Sequence, residues 1–513
     1  MKNTETSQYL AVALQSLEKV LLPELSSADA KATAEIMKLV LGELIKREHY
    51  TPRLLEEHIA EGQVLAERMV ALQKELGLAA SDPALDTPAA NACTREAGFA
   101  ALADQHAAQT DRITHLAHAL ASQRDQISDP TQQDYLSTLL HKAAAWEHAY
   151  YSAQREAAVN MAPLRGSTPG APLTQEALQA FLRGVHPAAD QCSVATFTSI
   201  PGGFGKQTFR AGLTDGSGAV QSVIARKSDP IPMLLYGGFF IDREFHLLKD
   251  IHATGFPVAE PLFLGAGVPG VDADFYVMSA LQGAVPSSFL GAASAVVPES
   301  VLLHLAELMA RLHRLELQHF TPYLKRFGEI GLLEDTVETC YRRCLAEWRD
   351  YYSKGGHLPS PYLTYLLDWL ERHVPQDSQT PVLVHGDFNI HNVLAQDGRI
   401  TGVLDWECAM FGAPEQDLAY IKPVISKHIG WDRFMAHYLA SGGRPINEQS
   451  LNFYMAFSAM RVSIAFNKGV RNLQEGYTRD IRYAVIELGL TPEFMNMAMS
   501  STSAPESPAP LSV

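Results

Sequence analysis

Val382-Leu-Val-His-Gly-Asp-Phe-Asn-Ile-His-Asn-Val-Leu394 and, shortly after it, Ile400-Thr-Gly-Val-Leu-Asp-Trp406 decide the fold of this chain. Each apolar run ends in a carboxylate, Asp387 after the first and Asp405 after the second. Short runs of Val, Leu and Ile bounded by polar residues and Gly read as buried strands. An acid placed at a strand end sits on a turn, where it can reach a ligand. Asn392 lies five residues after Asp387, and His385 two before it. The plainer alternative, two aspartates capping turns behind buried strands, requires four polar identities to coincide by chance.

Asp-x-x-x-x-Asn is the spacing of the protein-kinase catalytic loop. A hydroxyl attacking a phosphoryl group needs an acceptor for its proton and something to orient it, and Asp387 can do both. Metal ions on the phosphates need hard oxygen ligands, which Asn392 and Asp405 supply. His-Gly-Asp-Phe-x-x-x-Asn followed by Leu-Asp-Trp-Glu resembles the aminoglycoside phosphotransferase and choline kinase superfamily, over roughly residues 179–490. The resemblance implies an α+β, protein-kinase-like bilobal fold, with an antiparallel-sheet small lobe and a mostly helical large lobe. It also implies an ATP- and Mg2+-dependent kinase acting on a small-molecule alcohol.

The nucleotide positions can be filled from the chain. Pro201-Gly-Gly-Phe-Gly-Lys-Gln-Thr-Phe209 follows a strand-like run, and Gly203, Phe204 and Gly205 form the expected nucleotide flap. It is not a Walker A loop: Ile200 stands where that motif begins with Gly, and Gln207 follows Lys206. The next strand ends in Arg226-Lys227, whose side chains point to opposite faces, so only one reaches the phosphates. Ile-Ala-Arg-Lys resembles the protein-kinase Val-Ala-Ile-Lys and favours Lys227. Arg-Lys-x-x-Pro resembles the hydroxyacyl-CoA-type kinases of the superfamily and favours Arg226, which we prefer while keeping both. Glu244, in a helix over 241–251, is placed to pair with the strand cation. The strand from Phe275 runs into a hinge where adenine bonds backbone groups of Ser279, Ala280 and Leu281. By the same resemblance His385 braces the catalytic loop and His313 is scaffold; Asp417 reads as bracing the metal loop or a helix start, and His391, beside Asn392, as solvated. Tyr341, Trp348, Tyr351 and Tyr352 read as packing, with an aromatic substrate wall as the alternative. Gly412-Ala-Pro-Glu415 comes almost at once after Asp405 and leaves no room for an activation loop, which favours small-molecule transfer over protein substrates.

Arg-Lys-x-x-Pro, Phe-Tyr-Val-Met and Asp-Trp-Glu resemble the branch linked to acyl-CoA dehydrogenases, which includes kinases of hydroxyacyl-CoA. The acceptor is therefore expected to be a hydroxyacyl-CoA or hydroxy acid. An antibiotic or amino-alcohol (choline-type) acceptor is the alternative, and a nucleotide-binding regulatory module without turnover is the alternative of another class.

The 513 residues exceed one ordinary core. Residues 1–158 read as an all-α helical bundle, with Thr51-Pro52 starting one helix. A linker spans 159–174, the small lobe 175–282, the large lobe 283–498 and a disordered tail 499–513. The bundle lacks the Glu-x-x-His pairs of a di-metal site. It is expected to dock a protein partner, to dimerise the chain or to act as a lid. A net charge of −16 without a Lys/Arg cluster argues against nucleic acid. No run approaches the ~18 apolar residues of a membrane span. Five cysteines fit neither a disulfide framework nor a zinc pattern, and Met1–Gln8 has no apolar signal core, so a cytoplasmic setting is expected.

Overall fold

The computed structural model describes residues 10, 13–77, 99–156, 173–186, 192–200, 205–214, 220–234, 236, 239–287, 296–474 and 486–503. Most of the expected 159–174 linker, Gly203 and Phe204 of the flap, and most of the C-terminal tail lie outside these residues.

Three long helices open the fold: α1 (Ala28–Glu75), α2 (Phe99–Ser122) and α3 (Pro130–Glu156). Ser27 caps α1 by accepting from the Ala30 amide at 3.2 Å. The helix start expected at Thr51-Pro52 does not occur, because α1 runs unbroken through it. An interior proline costs ~3 kcal/mol. Buried Ile36 on one side and buried Leu55, Leu65 and Met69 on the other would lose their packing at a break. Tertiary burial therefore overrides the local signal.

The small lobe begins with α4 (Gln175–Val185), capped by Thr174. Five strands follow: β1 (Ser193–Ile200), β2 (Lys206–Thr214), β3 (Val220–Ser228), β4 (Pro261–Gly265) and β5 (Phe275–Ser279). They form one antiparallel sheet in the order β1-β2-β3-β5-β4. Helix α5 (Ile241–Ala253) crosses between β3 and β4 and buries Phe245, Leu248 and Ile251. One sheet face packs on α4 through Phe209, Ala211, Val223 and Phe275, which leaves the other face for polar work.

The large lobe carries α6 (Glu299–Leu312), α7 (Val337–Lys354) and α8 (Pro361–Arg372), then two short antiparallel ribbons. β6 (Val382–Val384) pairs with β9 (Met410–Gly412), and β7 (Val393–Gln396) with β8 (Arg399–Val403). Helices α9 (Pro414–His428), α10 (Leu451–Gln474) and α11 (Thr491–Thr502) follow. The N-terminal bundle does not stand apart. Leu65, Leu116, Leu140 and Trp146 share one hydrophobic core with Tyr362, Leu366, Phe457 and Met495 of the large lobe. At the seam, buried Glu147 accepts from the Ser360 hydroxyl at 2.9 Å and the Tyr362 amide at 2.8 Å, closing the N-terminus of α8.

Candidate active site

β6 delivers His385-Gly-Asp387 to the cleft floor, and buried Asp417 at the start of α9 holds that turn. Asp417 accepts from the His385 amide at 2.9 Å, the Gly386 amide at 2.7 Å and the His313 ring at 3.1 Å. Gly386 has φ +78°, and a Cβ there would overlap the Cys408 carbonyl oxygen, so no other residue fits. The His385 ring donates from Nε2 to the Leu404 carbonyl at 2.8 Å and accepts the Asp387 amide at Nδ1, 3.3 Å away. Burial pulls this ring below its ordinary pKa against the opposing charges of Asp417 and Asp387, and keeps it a neutral brace.

Asp387 and Asn392 face one another. The Asn392 amide nitrogen donates to the Asp387 carboxylate at 2.8 Å and to its backbone carbonyl at 3.0 Å. That leaves the Asn392 amide oxygen for a cation. The other Asp387 oxygen lies 3.4 Å from His391 Nε2. His391 is therefore not the solvated side chain expected from sequence; its ring is tucked against the acid. Burial pushes the Asp387 carboxyl up, but the adjacent His391 ring and the Tyr420 hydroxyl outweigh it and hold it below its ordinary range. Asp405 ends the turn after β8 with φ 62° and ψ 66°, a left-handed conformation uncommon outside glycine that turns its carboxylate into the cleft. The Leu404 amide bonds the Asn392 carbonyl at 2.8 Å, tying the two acid-bearing turns together.

From the small lobe, Arg226 reaches this cluster. Its guanidinium donates to Asp405, to Glu407 at 3.2 Å and to Glu244 at 3.4 Å. Lys227 points the other way, fully buried and 2.6 Å from Asp272. Glu244 is 1% exposed; burial pushes its carboxyl up, but Arg226 and Lys206 outweigh it and hold it ionised. Lys206 and Glu407 were not assigned a role from sequence, yet both sit in the cluster. Lys206 Nζ lies 2.8 Å from Glu244 and 2.6 Å from Glu407. Strand parity could have found Lys206: opposed residues of an antiparallel pair share a face, and Thr208 opposes Arg226.

At the hinge, the Ser279 and Ala280 amides bond the Glu260 and Ser222 carbonyls, so both protons are spent within the sheet. Leu281 follows where the chain leaves β5, with its side chain against Gly402. Gly205 has φ +78° and accepts the Asp229 amide at 3.1 Å. Of the four aromatics on α7, Tyr341 and Trp348 are wholly buried as packing, whereas Tyr351 and Tyr352 are half-buried.

A strand cation held by a helix glutamate, opposite an Asp…Asn loop and a strand-end aspartate, defines a kinase-like phosphotransferase. A model of the phosphotransferase enzyme family (APH) matches residues 196–454, about half of the chain, and the chain belongs to that family. The chain is 30% identical over 289 residues to the rat protein named acyl-CoA dehydrogenase family member 11, covering 54% of this chain and 34% of that one. It is 34% identical over 205 residues to the chicken protein of the same name, covering 39% and 25%. Thus it spans about a third or less of the length of these relatives. Hygromycin-B 4-O-kinase of Escherichia coli is 54% identical over 39 residues, covering 8% of this chain and 11% of that one. Among solved structures, an aminoglycoside phosphotransferase of Ralstonia eutropha, so described, superposes with a TM-score of 0.45 at 21% identity, covering 64% of this chain and 98% of that one. Among the described residues no helix is long and apolar enough to cross a membrane.

Proposed function

We propose that this phosphotransferase moves the γ-phosphoryl group of ATP, with Mg2+, to the hydroxyl of a small acidic molecule, a hydroxyacyl-CoA or hydroxy acid. The carrying observation is the convergence of Arg226 and Glu244 from one lobe with Asp387, Asn392 and Asp405 from the other. Asp387 orients the hydroxyl and takes its proton as the bond to phosphorus forms. Arg226, with Glu244 behind it, neutralises phosphate charge, which is most of the catalysis in such transfers. Asn392, through its amide oxygen, and Asp405 are hard donors of the kind Mg2+ accepts alongside phosphate oxygens. The metal would supply charge neutralisation at the transferring group.

Arg461 supports an acidic acceptor. It is buried on α10, packs against Gly386, and donates to the Cys408 carbonyl at 2.7 Å. Its guanidinium is thus held beside the catalytic loop by a backbone carbonyl. Along α7, with Tyr236 beside it, a groove of about 700 Å³ is lined by Tyr236, Tyr351, Arg343 and Lys354. The tyrosines offer apolar wall to an acyl chain. Two carboxylates of the groove are already engaged, Glu347 with the Tyr236 hydroxyl and Asp350 with Lys354, which disfavours a cationic aminoglycoside or choline-type acceptor. The acyl-CoA in the relatives' names points the same way.

The test is a mass-spectrometric screen with ATP and Mg2+ over hydroxyacyl-CoAs, hydroxy acids, aminoglycosides and choline, with Asp387→Ala alongside. A phosphorylated hydroxyacyl-CoA or hydroxy acid that disappears in the variant is expected. A phosphorylated aminoglycoside or choline would overturn the acceptor class. Nucleotide binding without any product would favour a regulatory binder, and no binding of ATP–Mg2+ would end the kinase assignment.

A further inference from the structure

We propose that Lys206 is a second phosphate-binding cation, carried by the strand that follows the glycine-rich turn and acting beside Arg226; this rests on the nucleotide assignment above. The β2–β3 register sets Lys206 opposite Ser228 and Thr208 opposite Arg226, so Lys206 and Arg226 share the sheet face that looks into the cleft. Both cations are bridged by the same two oxygens. Glu244 Oε2 is 2.8 Å from Lys206 and 3.4 Å from Arg226, and Glu407 Oε2 is 2.6 Å and 3.2 Å from them.

The two carboxylates differ in kind. Glu244 lies in the small lobe with both cations and is almost wholly buried. Glu407 follows Asp405 in the large lobe and is 19% exposed. Glu244 alone would satisfy Arg226, so a second desolvated ammonium adds cost to the fold without need. It has a use if an anion replaces Glu407. Polyphosphate oxygens entering the cleft take the place that Glu407 and Asp405 now occupy at the two cations, while Glu244 keeps hold of both. Asp405, one of the residues that would hold Mg2+, is thereby freed from Arg226. Burial pulls the Lys206 ammonium down, but Glu244 and Glu407 outweigh it and hold it above its ordinary value.

Calorimetric titration of the full chain with adenosine, ADP and a non-hydrolysable ATP analogue, each with Mg2+, tests this. Lys206→Met should weaken the analogue about 10- to 100-fold, as for a lost charge-assisted hydrogen bond. ADP should lose less and adenosine almost nothing, and Lys206→Arg should recover most of the loss. If Lys206→Met binds the analogue as tightly as the wild type, or more tightly, Lys206 is only a latch on Glu407 and the proposal fails. An equal loss for adenosine would mean a damaged lobe and would also overturn it. A wild-type chain that binds none of the three refutes the nucleotide assignment itself, a result distinct from either of these.

Discussion

Glu147 offers a quantitative test of how the N-terminal bundle is joined to the kinase-like lobes. Its carboxylate is buried at the seam, with the Ser360 hydroxyl and Tyr362 amide as donors. Burial outweighs those hydrogen bonds and pushes its carboxyl up from an ordinary 4.5 to about 7. A group that titrates near 7 in the fold and near 4.5 in the unfolded chain corresponds to about 3 kcal/mol. The folded state binds the proton more tightly, so the contribution is fully present below pH 4.5. It is lost as pH rises from there through 7, where the carboxylate must ionise without water. Glu147→Gln keeps the shape and stays neutral: its amide oxygen can accept from Tyr362 and its nitrogen can donate to Ser360 Oγ. Thermal unfolding of the two proteins should nearly coincide at pH 5. At pH 8 the variant should melt a few degrees higher, given the size of the cooperative unit. A difference between the two that does not change from pH 5 to pH 8, or one that favours the wild type at pH 8, would refute the argument.

Three further outcomes follow from the site. Arg226→Met should weaken nucleotide binding by about tenfold or more, whereas Lys227→Met should leave binding intact and lower the melting temperature by stranding Asp272; titration and thermal melts separate them. Gly386→Ala combines a left-handed backbone, worth about 1–2 kcal/mol, with a methyl group driven into the Cys408 carbonyl; reduced stability and loss of turnover are expected together. Because Asp387 is held below its ordinary range, it stays ionised as pH falls. Its protonation should not limit turnover above about pH 4; because the His391 ring chiefly offsets burial, His391→Gln should move any acid limb upward, and a limb that stays where it is in that variant would contradict the assignment of Asp387 as the base.

The lobes and the catalytic loop were legible because their signals are local. Apolar runs ending at Asp387 and Asp405 mark strand ends, and the turn between Asp387 and Asn392 is short enough for spacing alone to bring the two side chains together. Other features were not legible for specific reasons. Thr51-Pro52 carries a strong helix-start signal, yet buried residues on either side hold α1 continuous. His391 looked like any polar loop residue until the fold pressed it against Asp387.

Sequence by itself determined that a carboxylate, an amide and a second carboxylate stand at adjoining strand ends, and that Arg226 and Lys227 face opposite ways. Tertiary structure decided which cation meets the cleft carboxylates. Helix α5 lies on the Arg226 face and brings Glu244 there, while Asp272 waits on the other. It alone brought Lys206 to Glu407, and Glu147 to the head of α8. Chain parity specifies that two faces exist; only the packing of distant elements specifies what each face meets, and a buried charge is stable only where its partner has been delivered.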